Sequence, residues 1–159
     1  MKFEHKEEHV DANMVLIQAN IDDMNPEYCT YVAETLFVNG ANDVYWIPIV
    51  MKKGRPGIML NVLVNENLLK PIETIIFTET TTLGIRYLQA SCHRLGREMV
   101  LVSTKWGEIP VKAGFHDGRM VQYAPEFSEC EAAARKFSVP LKDVYAEVNL
   151  KFRQNRQAD

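Results

Sequence analysis

The stretch MKKGRPG, residues 51–57, sets Lys52, Lys53 and Arg55 among two glycines and a proline in a chain whose formal net charge is −3. Cations placed so close repel one another, so such a turn is either a solvated basic hairpin or a grip for a strongly anionic group. A triphosphate needs several cations and backbone N–H donors that can come near it, and Gly54 and Gly57 remove the side chains that would stand in the way. Arg55 offers a planar fork for two phosphate oxygens, and Lys52 and Lys53 act as point charges. Two further stretches carry suitable chemistry. Asp22 and Asp23 supply carboxylates of the kind that hold Mg²⁺, which takes one or two of them together with phosphate oxygens. Neighbours at a strand end diverge, so Asp22 fits the ligand-facing side and Asp23 the capping side, beside Asn25. The other reading of this pair is compensation of a helix dipole. TETTTLGIR, residues 78–86, adds the Thr80, Thr81 and Thr82 hydroxyls, the permissive Gly84, and Arg86. β-Branched residues entering a strand would produce the same pattern.

The elements that must position these groups follow from periodicity. Residues 14–22 alternate, with Val15, Ile17, Ala19 and Ile21 on one face and Gln18, Asn20 and Asp22 on the other. Asn25 and Pro26 open a helix whose inward set is Cys29, Val32, Ala33, Leu36 and Phe37, and Gly40 ends it. Residues 43–51 form a second strand, with Pro48 at a bulge or sheet edge, and residues 58–64 a third. A helix over 67–79 buries Leu68, Ile72, Ile75 and Ile76, and GIRYLQA is a fourth strand. The order β-α-β-β-α-β is the split ferredoxin-like unit. Its chain path puts the loop after strand one, the turn between strands two and three, and the loop before strand four at one end. DDMNPE, KKGRPG and TETTTLG are therefore expected to share one rim.

The second half reads as a β-meander over residues 97–124 and two helices. One spans 126–137, with Phe127, Cys130, Ala134 and Phe137 inward; the other starts at Leu141 and buries Leu141, Val144, Tyr145 and Val148. The tail KFRQNRQAD is expected to fray. The fold class is thus α+β, with a disordered arm at 1–12, a ferredoxin-like subdomain at 13–94 and a meander and helical subdomain at 95–159. No apolar run approaches the ~20 residues of a membrane span, and the net charge advertises neither nucleic acid nor a membrane surface. An RNA-recognition module would need aromatic residues in IMLNVLV, which has none. Cys29, Cys92 and Cys130 are odd in number and lack CxxC spacing, in keeping with a reduced, cytoplasmic setting. Cys29 and Cys130 are expected to be packed thiols. Cys92 beside His93 is a weak metal signal, His5 and His9 fall in the polar arm, and His116 reads as an exposed turn residue. Glu126 and Glu129 read as helix-start acids.

ANIDDMNPE, GANDVYWIPIVMKKGRPG, FTETTTLGIR and VQYAPEFSEC…VPLKDVY, in this order and spacing, resemble the C-terminal region of LarC-type nickel insertion proteins. The resemblance covers nearly the whole chain after its first dozen residues. It implies a nickel chelatase or cyclometallase of the lyase class, which places nickel, its substrate metal, into pyridinium-3,5-bisthiocarboxylic acid mononucleotide. The product is the nickel-pincer cofactor of lactate racemase, and CTP is hydrolysed to CMP and pyrophosphate. It further implies that this portion binds CTP with Mg²⁺ or Mn²⁺ and assembles as a homo-oligomer. The family pattern places a histidine-rich nickel-binding region before this one; the four histidines of this chain form no such run. On this reading Lys52, Lys53 and Arg55 act on the triphosphate. Gly54, Thr80, Thr81, Thr82 and Arg86 complete its binding, Asp22 and Asp23 hold the divalent ion, and Asn61 and Tyr123 are candidates for reading the base. The competing class is a non-catalytic, oligomeric nucleotide-sensing module.

Overall fold

The computed structural model describes residues 6–157, and the chain divides into two compact units, residues 10–92 and residues 93–157 with 6–9. The first holds β1 (His9–Ile21), α1 (Tyr28–Val38), β2 (Asp43–Val50), β3 (Pro56–Asn65), α2 (Leu69–Glu79) and the start of β4 (Arg86–Arg94). The strand order is β2-β3-β1-β4, with β3 antiparallel to both β1 and β2. This is the split ferredoxin-like arrangement, so the α+β class read from the sequence holds. Pro48 lies on the edge strand β2, where its missing N–H costs no ladder bond to a further strand.

One face of the sheet is apolar because the strands alternate. Val15, Ile17, Ala19 and Ile21 of β1 and Leu60, Val62 and Val64 of β3 pack against Val32 and Leu36 of α1 and Ile72 and Ile76 of α2. The expected inward set of α1 is narrower in fact: Phe37 is 48 % exposed. On the opposite sheet face Gln18 Nε2 donates to Asn61 Oδ1 at 2.9 Å, and Asn61 Nδ2 donates to the Met59 carbonyl at 3.1 Å. These bonds allow a fully buried amide in the middle of the sheet. Gly57 is required where β3 begins, since a Cβ there would stand 2.7 Å from the Ile21 carbonyl oxygen and 2.8 Å from Met51 Sδ.

Tyr87, at the start of β4, donates its hydroxyl to Glu73 Oε2 on α2, and Lys70 Nζ lies 2.6 Å from the other oxygen. The hydrogen bond to Glu73 pushes the Tyr87 phenol up to about 12. The Lys70 hydrogen bond, helped by Tyr87, pulls the Glu73 carboxyl below its ordinary 4.5. A raised phenol stabilises the fold fully below its unfolded value near 10, and the effect is lost as pH rises through about 12. A depressed carboxyl stabilises above 4.5 and loses its effect as pH falls through the folded value. The difference between the alkaline absorbance titrations of wild type and Tyr87→Phe is therefore expected to show a midpoint near 12. Introducing Glu73→Gln into both should move that midpoint down toward 10.

The second unit is a meander, β5 (Gly96–Thr104), β6 (Gly107–His116) and β7 (Arg119–Pro125), followed by α3 (Phe127–Phe137) and α4 (Leu141–Gln157). Asp117 and Gly118 close the β6–β7 hairpin with positive φ at both positions, as a two-residue turn of this hand requires. Its core joins Val102, Ile109, Val111 and Ala113 to Cys130, Ala133, Ala134, Val144, Val148 and Phe152. Phe127 and Phe137 do not join it: they are 57 % and 42 % exposed, and α3 turns its small residues inward instead. Two further expectations are corrected. Of the arm expected over 1–12, His9–Ala12 belong to β1, and residues 1–5, His5 among them, lie outside the described residues. The tail does not fray from Lys151, since α4 continues to Gln157 and Phe152 is 2 % exposed. Among the described residues no helix is long and apolar enough to cross a membrane. The thiols are free; Cys130 is buried and burial pushes it up, whereas Cys29 and Cys92 are half-buried.

Candidate functional site

At the C-terminal end of β1 the chain leaves the sheet through Asp22 and Asp23. The β2–β3 turn arrives beside it, since Ile21 pairs with Ile58 and Val50 with Pro56. Lys52–Gly54 make one 3₁₀ turn closed by Met51 N–H donating to the Arg55 carbonyl at 2.8 Å. Lys53 has φ 62° and Gly54 φ 70°. A left-handed lysine costs on the order of 1–3 kcal/mol, and such strain gathers where a loop is shaped for binding. Lys52 and Lys53 are exposed. Arg55 reaches back across the rim, its Nη1 3.4 Å from Asp22 Oδ2, with the two side chains 60 % and 19 % exposed.

The third loop closes the group. Thr81 Oγ1 donates to Asp23 Oδ1 at 2.5 Å, so DDMNPE, KKGRPG and TETTTLG do share one rim. Asp23 is engaged by Thr81 and not in capping; the turn that leads into α1 is fixed by Asn25, whose Oδ1 accepts the Glu27 N–H at 3.1 Å. The three threonines differ in role. Thr80 donates to the Ile76 carbonyl at 2.6 Å, and the nearly buried Thr82 donates to the Gly84 carbonyl at 2.9 Å. Both hydroxyls fix the loop, and Thr81 alone of the three faces the acidic pair. Arg86 is exposed at the start of β4. Asn61 cannot read a base, because it is fully buried and bonded within the sheet. Tyr123, in the second unit, accepts a bond from Arg153 Nε at 2.6 Å. The two helix-start acids also separate: Glu126 pairs with Lys112 at 2.6 Å.

His93 and His116, which the sequence offered separately as a weak metal signal beside Cys92 and an exposed turn residue, meet in the second unit on Glu8. Glu8 Oε1 lies 2.8 Å from His93 Nε2 and 2.6 Å from His116 Nδ1, and Glu8 Oε2 accepts the Asp117 N–H at 2.8 Å. The Asp117 amide, followed by His116, holds the Glu8 carboxyl below its ordinary range, and Glu8 pushes the His116 imidazole up. Local spacing carries no trace of it, because its members come from the approach to β1, the end of β4 and the end of β6.

The nickel insertion protein family model matches residues 1–145. The chain belongs to that family. The pyridinium-3,5-bisthiocarboxylic acid mononucleotide nickel insertion protein of Clostridium acetobutylicum is 46 % identical over 136 residues, covering 86 % of this chain and 32 % of that one. The protein of the same name from Acetivibrio thermocellus is 44 % identical over 145 residues, covering 91 % and 35 %. The chain thus spans about a third of the length of these curated family members. Among solved structures it superposes on LarC2, described as the C-terminal domain of a cyclometallase involved in the synthesis of the NPN cofactor of lactate racemase, in its apo form. There the TM-score is 0.86 and the identity 34 %, over 91 % of this chain and 99 % of that one. A protein from Methanopyrus kandleri shares the fold alone, with TM-score 0.65 and 22 % identity over 87 % of each chain.

Proposed function

We propose that this chain is the CTP-binding part of a CTP-dependent nickel insertase, which places nickel into pyridinium-3,5-bisthiocarboxylic acid mononucleotide as CTP is cleaved to CMP and pyrophosphate. The observation that carries the reading is the shared rim: Arg55 3.4 Å from Asp22, with Thr81 on Asp23 beside them. Cations and carboxylates are thereby offered together, as a metal–triphosphate requires. Lys52, Lys53 and Arg55 neutralise the phosphates, and the N–H groups of the turn around Gly54 can approach them. Asp22 and Asp23 form an all-oxygen donor set that suits Mg²⁺ or Mn²⁺. When bound, that ion offsets the negative charge that builds on the leaving pyrophosphate. Thr81 holds Asp23 in place and Arg86 covers the far side. A cytoplasmic setting and assembly into homo-oligomers belong to the same reading.

The test is incubation of the chain with CTP and Mg²⁺, with CMP and pyrophosphate as the expected products. Calorimetry with CTP, ATP and CMP is expected to rank CTP first, and Lys53→Ala to weaken it about tenfold, as loss of one charge-assisted contact does. ATP binding as tightly as CTP would remove the cytidine-specific content of the proposal. Tight CTP binding with no CMP formed would leave a nucleotide-sensing module.

A further inference from the structure

Glu8, His93 and His116 bring three metal-ligating groups close enough together to share one ion. The three donor atoms all lie within 4.8 Å of one another. The imidazole rings meet edge-on, 69° apart with centroids at 6.0 Å, so one nitrogen of each converges on Glu8 Oε1. An ion held at about 2.0–2.1 Å from each donor needs adjacent donors about 3.3 Å apart in a tetrahedron and about 2.9 Å apart at right angles. The separations of 2.8 and 2.6 Å fall short of both, and an outward swing of either exposed ring supplies the difference.

The surroundings have the form that outer partners of a metal site take. The remaining Glu8 oxygen is oriented by the Asp117 N–H at 2.8 Å. The Asp117 carboxylate stands 3.8 Å from His116 Nε2, the nitrogen turned away from Glu8. Mixed imidazole and carboxylate donors favour the later first-row divalent ions over Mg²⁺. The His93 and His116 side chains are 56 % and 51 % exposed, which leaves coordination positions open to water and to an exchanging ligand.

We propose that Glu8, His93 and His116 form a site for a divalent late transition-metal ion, with Ni²⁺ as its cargo. Only the choice of Ni²⁺ rests on the nickel-insertion reading; the donor set stands without it. The site is an open, exchangeable dock, and it gives this chain nickel donors that do not depend on a histidine-rich run.

The experiment is calorimetric titration of the full 159-residue chain with Ni²⁺ alone, with Co²⁺ absorption as the second readout. Wild type is expected to take up one Ni²⁺ and to give Co²⁺ bands of nitrogen-and-oxygen coordination. His93→Ala, His116→Ala and Glu8→Gln should each weaken Ni²⁺ at least tenfold and abolish the bands. Asp22→Asn and Arg55→Ala should leave Ni²⁺ binding untouched while impairing CTP binding in the presence of Mg²⁺, so failure here is distinct from failure of the nucleotide reading. The proposal is overturned if wild type binds no Ni²⁺, or if His93→Ala/His116→Ala retains wild-type affinity and the Co²⁺ bands. Glu8→Gln keeps the shape of the side chain, so its loss of Co²⁺ bands in a chain with wild-type circular dichroism is read as loss of a ligand.

Discussion

Arg55→Ala is expected to weaken CTP binding roughly ten- to a hundredfold, the range set by loss of a charge-assisted contact worth about 1.5–3 kcal/mol. Two effects combine. On the proposed reading the guanidinium fork no longer grips phosphate oxygens, and Asp22, without the guanidinium that stood 3.4 Å away, repels the incoming anion. The exposed ion pair itself stabilises the fold little, so the variant should unfold within about 0.5 kcal/mol of wild type. Calorimetry with and without Mg²⁺ separates the partners. Arg55→Ala should lower affinity under both conditions, whereas Asp22→Asn should remove the dependence on Mg²⁺ and leave metal-free binding intact or tighter. Equal CTP affinity in Arg55→Ala and wild type would take the rim out of the mechanism.

Phe152→Ala is expected to destabilise the second unit by about 3–5 kcal/mol, the cost of emptying a large buried aromatic site. Phe152 is 2 % exposed, stacks on Tyr123 at 4.4 Å between ring centres, and packs with Val144 and Val148 on α4. The substitution also loosens Tyr123, whose hydroxyl anchors Arg153. Urea unfolding followed by circular dichroism checks this. A loss below about 0.5 kcal/mol would mean that the end of α4 contributes no core.

The rim was legible in the sequence because topology does the gathering. Once strand alternation and helix periodicity give β-α-β-β-α-β, Asp22, Arg55 and Thr81 have no other end of the sheet to occupy. The division of labour among the threonines was not legible. A hydroxyl takes whichever carbonyl its loop presents, and Thr80 and Thr82 found Ile76 and Gly84. The end of α4 was missed for a different reason. Val144, Val148 and Phe152 keep a four-residue spacing, but the polar run RQNRQ after Phe152 masked it. Phe127 and Phe137 misled in the opposite sense, since α3 has enough small residues to pack without them. The Glu8, His93 and His116 cluster is beyond any local pattern, as it depends on the β6–β7 hairpin bringing the Asp117 amide to Glu8.

The bare backbone contact at Gly57 limits how the rim of this chain can change. With no room for even a methyl group between residue 57 and the Ile21 carbonyl, the span from the basic turn to the carboxylates after β1 is a fixed gauge, set by main-chain atoms. The charge of the rim can then be altered through the exposed side chains of Lys52, Lys53 and Arg55, while the backbone frame beneath them stays constant. Any enlargement at position 57 would press on the Ile21 carbonyl and on Met51 together, and so displace the basic turn and the end of β1 in one step.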